Sequence, residues 1–337
     1  MKTTNKRPLG RVVAALAGAS LLVTAAACGP AATKDDASGY PSKTVKIMVP
    51  AAPGGGWDLT GRNMQQVIQK DKIVDADVEV FNRDGGGGAT GLSQLISKEK
   101  GDPYQLMIAG LVMIGALEQA KSPLELSQAE AIATLTSETE ALVVKSDSKF
   151  KTVDDVVDAY KKDPKSVTFG GGSQGGSDHI VAGLLLQAAD LEAKDMKYIG
   201  YAGGGEATAG ILSGDVEVGI SGVSEFEGQI EAGKMRLLAI TSDEKRDVGG
   251  KAAPTLKDAG YDVDFVNWRA IFAPPGISDA ERKSIIKMVD DVHKSTGWKG
   301  VLKEQGWTDD YRTGDDAQKF VESESKRIEG VLKDLGI

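Results

Sequence analysis

Val45-Lys46-Ile47-Met48-Val49-Pro50-Ala51-Ala52-Pro53-Gly54-Gly55-Gly56-Trp57-Asp58 reads as a short strand running through a glycine turn into a helix. The spacing of Leu59 to Gln69 continues that helix with one apolar face. Glycine lets backbone N–H groups approach a ligand closely, and the helix start behind the turn carries about half a positive charge. Together they hold an anion without lysine or arginine. Two more glycine turns, Gly85–Gly91 and Gly170–Gly176, repeat the unit, and Gly203-Gly204-Gly205 opens another predicted helix. The chain reads as helix starts aimed at a small acidic solute.

Outward from that turn, strands alternate with helices. Val45–Val49, Asp77–Phe81, Gln105–Ala109 and Ala141–Lys145 are the predicted strands of the first part. Ser166–Phe169, Lys197–Tyr201, Val216–Ile220 and Arg236–Thr241 are those of the middle. Thr152-Val153-Asp154-Asp155 and Ser278-Asp279-Ala280-Glu281 are capping-box starts, each followed by apolar residues at helical spacing. A last helix after Thr313 is expected to bury Phe320, Val321, Ile328 and Leu332. The alternation implies an α/β fold with parallel sheets covered on both faces. Ligands of open α/β sheets bind beyond the carboxyl ends of strands, where every glycine turn here falls.

The first residues are an address. Lys2, Lys6, Arg7 and Arg11 precede the apolar run Val12–Val23, and no acidic residue appears before Asp35. Residues 1–27 read as a signal peptide, and Val12–Ala27 is too short for a comfortable membrane span of roughly 20 residues. Ala25-Ala26-Ala27 before Cys28, the only cysteine, resembles a bacterial lipobox, in which the cysteine becomes the lipid-modified first residue. Alanine stands at 25 where leucine is usual. Residues 28–40 then form a lipidated cysteine and a small, polar tether. Its twelve residues after the cysteine reach on the order of 20 Å as a random coil.

Residues 1–27 carry four positive charges and no negative ones, so the formal net charge of −9 becomes −13 without them. So acidic a body argues against nucleic acid or anionic lipid as a partner, and its anion site must be a local effect of oriented amides. About 300 residues remain, enough for two lobes. Chain crossings are placed near Ala141–Asp147 and Ile240–Asp243. Residues 41–144 plus 241–337 then form lobe 1, and 145–240 form lobe 2.

Taken in order, several segments resemble the substrate-binding proteins of tripartite tricarboxylate transporters. They are Tyr40–Lys43, Pro53–Thr60, Asn82–Gly91, Gly170–His179, Tyr201–Glu206, Pro254–Leu256 with Gly260-Tyr261, and Trp268–Gly276. The resemblance covers essentially the whole chain after the tether. It implies a two-lobed, clam-like periplasmic-binding-protein architecture of type II. It also implies a small carboxylate ligand gripped by main-chain groups and waters, with no cofactor. A large and a small membrane subunit are the implied partners, and the receptor is expected as a monomer. Gly54–Thr60 and Ser224-Glu225 are closest to the citrate-type branch.

Pro53, Gly54, Gly55, Gly56, Trp57, Asp58 and Thr60 are the first candidate ligand residues, set against a turn that needs glycine only for its dihedral angles. Asp58 reads equally as helix cap or ligand contact. Ser173, Gly175, Gly176 and Ser177 are the counterpart from lobe 2, with His179 behind them in a packing role. Gly87, Gly88, Gly204, Ser221 and Ser224 complete the set; Arg62 and Arg83 stand outside it. Trp57 and Trp268 are read either as cleft walls or as packing between the lobes. Two histidines and one cysteine make no metal cluster.

The alternative is an exported dinucleotide-binding enzyme. Gly170–Gly175 and Gly86–Gly91 both match G-x-G-x-x-G. A nicotinamide site also needs an acidic residue about 20 positions on, at the end of the next strand. Asp190 and Asp195 precede the strand Lys197–Tyr201, so neither fits. A receptor performing no chemistry is the expectation.

Overall fold

The computed structural model describes residues 39–202, 204–243 and 245–336. The signal peptide, Cys28 and nearly all of the tether lie outside the described residues, as does Gly203. Among the described residues no helix is long and apolar enough to cross a membrane.

The first sheet grows from β1 (Val45–Val49), where Val45, Ile47, Met48 and Val49 are all buried. It is followed by α1 (Gly56–Lys70), β2 (Val78–Asn82), α2 (Ala89–Ser97), β3 (Gln105–Gly110) and α3 (Leu111–Gln119). β1 lies parallel to both β2 and β3, with Ile47 opposite Val80 on one side and Leu106 on the other. Helix α1 covers this sheet with Met64, Val67 and Ile68. Each such side chain removed from water is worth about 1.5–3 kcal/mol.

β4 (Glu130–Lys145) ties the molecule together. Its first part, Glu130–Thr139, pairs antiparallel with Val266–Ala273, and Ala133–Ser137 of that part also pair with Thr308–Thr313. From Glu140 on, it pairs antiparallel with Val218–Gly222 and Met235–Ile240. A second set of strands thus hangs on the far half of one long strand. The elements after β4 are α4 (Val153–Lys162), β5 (Thr168–Gly171), α5 (Ser177–Ala188), β6 (Lys197–Gly200) and α6 (Gly204–Ser213). Next come β7 (Val218–Gly222), α7 (Val223–Glu231), β8 (Met235–Ile240), and the short β9 (Asp247–Val248) and β10 (Lys251–Ala252). β5 is parallel to β6 and β7. The chain returns to the first sheet through β11 (Val266–Ala273), which lies antiparallel between β3 and β4. α8 (Asp279–Lys294), α9 (Thr296–Gln305), β12 (Thr308–Thr313) and α10 (Gly314–Leu335) complete it.

The fold is α/β and two-lobed. The sheets are mixed, not purely parallel as the alternation suggested, because β4, β8, β11 and β12 run against their neighbours. The predicted helix starts appear at Thr152 and Ser278, both with reciprocal capping bonds. In α10, Val321, Ile328 and Leu332 are buried. Phe320 is only half-buried; its ring meets Trp268 edge-on at 5.3 Å, and the rest stays at the surface.

Candidate functional site

The turns that follow β1, β2, β5, β6 and β7 border one cavity of about 240 Å³. Gly55, the residue before α1, has extended backbone (φ −87°, ψ 174°) and supplies no side-chain cap, so the first amides of α1 keep free donors. Gly54 has φ +93°, a conformation that favours glycine. Its N–H donates to Asp58 Oδ2 at 3.0 Å, and Arg62 Nε donates to the same oxygen at 2.9 Å. Asn82 Nδ2 donates to Asp58 Oδ1 at 2.9 Å and to the Ala51 carbonyl at 3.1 Å. Burial pushes the Asp58 carboxyl up, but the bonds from Arg62, Gly54 and Asn82 outweigh it and hold it below the ordinary value. Asp58 therefore clamps the turn to the end of β2.

The Gly85–Gly88 turn has positive φ at four successive glycines. A Cβ on Gly87 would overlap Ala116, and one on Gly88 would overlap Met113, so the turn lies flush on α3. From the other side comes the turn after β5. There Gly172 N–H donates to Asp178 Oδ2 at 2.6 Å, and Ser177 Oγ donates to Asp178 Oδ1 at 2.7 Å. Gly175 N–H donates to His179 Nδ1 at 3.0 Å. His179 stacks on Tyr198 at 4.2 Å between centroids, and burial lowers its pKa to about 4. At neutral pH it is an uncharged acceptor. The Gly115 and Gly175 backbones touch so closely that a Cβ on either would strike the other's carbonyl.

Charge in the cavity centres on Arg269 of β11, which is 1 % exposed. Its Nη2 pairs with Glu138 of β4, its guanidinium lies 4.8 Å from the Trp307 ring centroid, and Nη1 has no partner. A Cβ on Gly56 would overlap this guanidinium, so glycine at 56 is what admits the arginine to the first turn. Glu138 also accepts from the backbone N–H of Ser224 at 2.9 Å and from its hydroxyl, capping α7. Burial, with Glu138 and Asp178 nearby, pushes the Glu225 carboxyl up to about 8 against the pull of Arg269. Burial also raises Asp178, with the Gly172 amide and the Ser177 and Ser221 hydroxyls opposing. A buried donor without a partner is costly, and an arginine fork matches a carboxylate in shape and charge. Arg269, with one unmet and buried donor, thus borders a cavity edged by free helix-start amides and hydroxyls.

Of the sequence-predicted residues, Gly55, Gly56, Trp57, Gly87, Gly88, Ser173, Ser177, Gly204 and Ser221 line the cavity. Pro53, Gly54, Asp58, Thr60, Gly175, Gly176 and Ser224 are not among its lining. Asp58 and Gly54 bond each other, Thr60 Oγ1 donates back to the Gly56 carbonyl at 2.7 Å, and the Ser224 hydroxyl serves Glu138. Arg62 is engaged by Asp58 and Asn82. Trp268 is buried away from the cavity, with Nε1 donating to Glu324 at 2.9 Å. Arg269, Glu225, Asp178 and Asn267 line the site without having been selected as ligand residues. The legible signal for Arg269 was a lone charge inside the otherwise uncharged strand Val266–Ala273.

Residues 62–337 match the profile of the tripartite tricarboxylate transporter family receptor. Protein BugT of Bordetella pertussis is 26 % identical over 306 residues, covering 88 % of this chain and 90 % of that one. A protein of Agrobacterium vitis, described by its place between ttuE and ttuC', is 29 % identical over 70 % of this chain and 67 % of its own. Among solved structures, MatC of Rhodopseudomonas palustris with bound malate superposes with a TM-score of 0.77 at 19 % identity, over 87 % of this chain and 100 % of that one. An R. palustris protein with adipate gives 0.75 at 21 %, over 88 % and 99 %. The chain belongs to the receptor family of the tripartite tricarboxylate transporters.

Proposed function

We propose that this protein is an extracytoplasmic receptor, anchored through acylated Cys28, that captures a small di- or tricarboxylate and hands it to the large and small membrane subunits of a transporter. The observation that carries the reading is the buried, unpartnered Nη1 of Arg269 in a cavity edged by uncapped helix starts. One solute carboxylate would meet Arg269 and the amides of Gly55–Trp57, and a second would meet Ser173 and Ser177. Residues 41–144 with 241–337 would form one lobe and 145–240 the other, so that solute bridging them favours closure by differential binding. The cavity lies below the roughly 300–1,000 Å³ typical of drug-sized ligands, which suits a small acid and disfavours a dinucleotide. No chemistry is done on the solute. Malate- and adipate-bound relatives make a linear dicarboxylate a natural first trial beside the citrate-like acid that the Gly54–Thr60 turn suggests.

Thermal melting against malate, adipate, citrate and a nicotinamide nucleotide tests this. At least one acid is expected to raise Tm, and Arg269→Lys, which keeps a charge for Glu138 but loses the fork, is expected to abolish most of the rise. A flat response to every acid with a shift by the nucleotide would overturn the reading. Mass spectrometry of the native amino terminus tests the anchor: acyl groups on Cys28 are expected, and a free terminus elsewhere removes that part.

A further inference from the structure

Four carboxyl groups and one guanidinium cluster beside the cavity. Glu138 and Glu140 come from β4, Asp178 from α5, Glu225 from α7 and Arg269 from β11. Glu138, Glu140, Asp178 and Arg269 are each at most 5 % exposed, and Oε2 of Glu225 is sealed from solvent without a partner. Arg269 is paired with Glu138. Among the described residues no cation forms an ion pair with Glu140, Asp178 or Glu225.

An unpaired carboxylate in such surroundings is so costly that the group takes up a proton instead. A solute with two negative charges makes every remaining ionised carboxyl costlier still, because it adds like charge in a poorly screened space. Yet the same cavity holds an arginine donor with nothing to bind. The two facts are compatible only if the negative charge of the solute is offset as it enters.

We propose that the receptor binds a dicarboxylate together with a proton: Arg269 takes one solute carboxylate through Nη1, and Glu225, as the neutral acid, donates from Oε2 to another solute oxygen. This rests on the carboxylate reading above. No covalent bond changes; a solvent proton joins Glu225 where that group was ionised, and the doubly charged solute enters intact. The groups facing Glu225 are Glu138 and Glu140 from β4, Arg269 from β11, Asp178 from α5, Ser221 at the end of β7, and the Gly204 backbone of α6 against Oε2. Burial, Glu138 and Asp178 favour the protonated form and outweigh Arg269 and the Ser221 hydroxyl, which favour the ionised one. Burial already pushes the free carboxyl up to about 8, so the coupling shows itself above that pH.

The test is titration calorimetry of the receptor body with malate at about pH 8.5, in two buffers of different ionisation enthalpy. Uptake of about half a proton or more per malate is expected. The Kd should weaken by up to about tenfold per pH unit between about pH 8 and 9.5, where both malate carboxyls are long ionised. In Glu225→Gln the Kd should no longer vary across that range. Malate binding with no proton taken up, or with protons released, overturns the inference and leaves the carboxylate reading standing. Uptake that persists undiminished in Glu225→Gln overturns the assignment to Glu225. Failure of malate, adipate and citrate to bind at any pH overturns both.

Discussion

At the scale of single residues, glycine is used here for close approach more than for flexibility. At Gly55 a Cβ would meet nothing within 4 Å, and φ is −87°, so a side chain there points into open cavity without backbone strain. Gly55→Leu is expected to leave the baseline Tm within a few degrees and to remove the solute-induced shift; equal loss of both would show a purely structural glycine. His179 gives a pH test of the same turn. Its folded pKa of about 4 lies below the ordinary 6.5, so the unfolded chain binds more protons between those values and stability is lost as pH falls through them. His179→Gln keeps an acceptor for the Gly175 amide but cannot be protonated. The stability advantage of the parent over this variant, read by urea denaturation, should shrink by about 2 kcal/mol between about pH 7 and 5. An unchanged difference would mean that the imidazole is hydrated. Glycine turns were legible because strand, glycine and helix start are contiguous. The partners of Arg269 were not, since Glu138, Gly56 and Arg269 come from three distant segments joined only by the fold.

At the scale of elements, capping boxes and short hydrophobic strands were readable, and β4 was not. Ala141–Lys145 announces itself as an apolar run, but the preceding Thr134-Leu135-Thr136-Ser137-Glu138-Thr139-Glu140 looks like a polar loop. It is nonetheless buried, because β11 and β12 pair with it and its hydroxyls find carbonyls. Thr134 Oγ1 donates to the Asp310 carbonyl at 2.5 Å, and Thr136 Oγ1 to that of Thr308 at 2.8 Å. A strand buried on both faces has no alternation to detect. β11 was missed for the same reason, and its antiparallel course is what makes the first sheet mixed. The box at Thr152 was read from local sequence alone, and its worth is local too. Thr152→Ala removes the acceptor for the Asp155 N–H. It should cost about 1 kcal/mol in chemical denaturation without altering solute affinity. A change in affinity would tie α4 to the site.

At the scale of the whole molecule, two sheets share one strand, and the site lies where their glycine turns meet. Glu138 sits one residue before the last that pairs with β11, at the changeover of β4, and holds Arg269 on one side and the start of α7 on the other. Gly115 of α3 and Gly175 of the turn after β5 meet backbone to backbone. Gly115→Ala should force the two backbones apart at a cost of about 1 kcal/mol or more, weakening solute binding several-fold. It should also remove any solute-induced fall in the radius of gyration seen by small-angle scattering; contraction equal to the parent's would show that this contact plays no part in closure. The central claim is that a small carboxylic acid sits on Arg269 between the turns. A crystal structure of the receptor body grown with saturating malate, adipate or citrate tests it most directly. It should show an acid with one carboxylate on Arg269 Nη1 and the Gly55–Trp57 amides, and another within reach of Ser173 and Ser177. A cavity holding only water under those conditions, or an acid bound elsewhere with Nη1 still unpartnered, would contradict it.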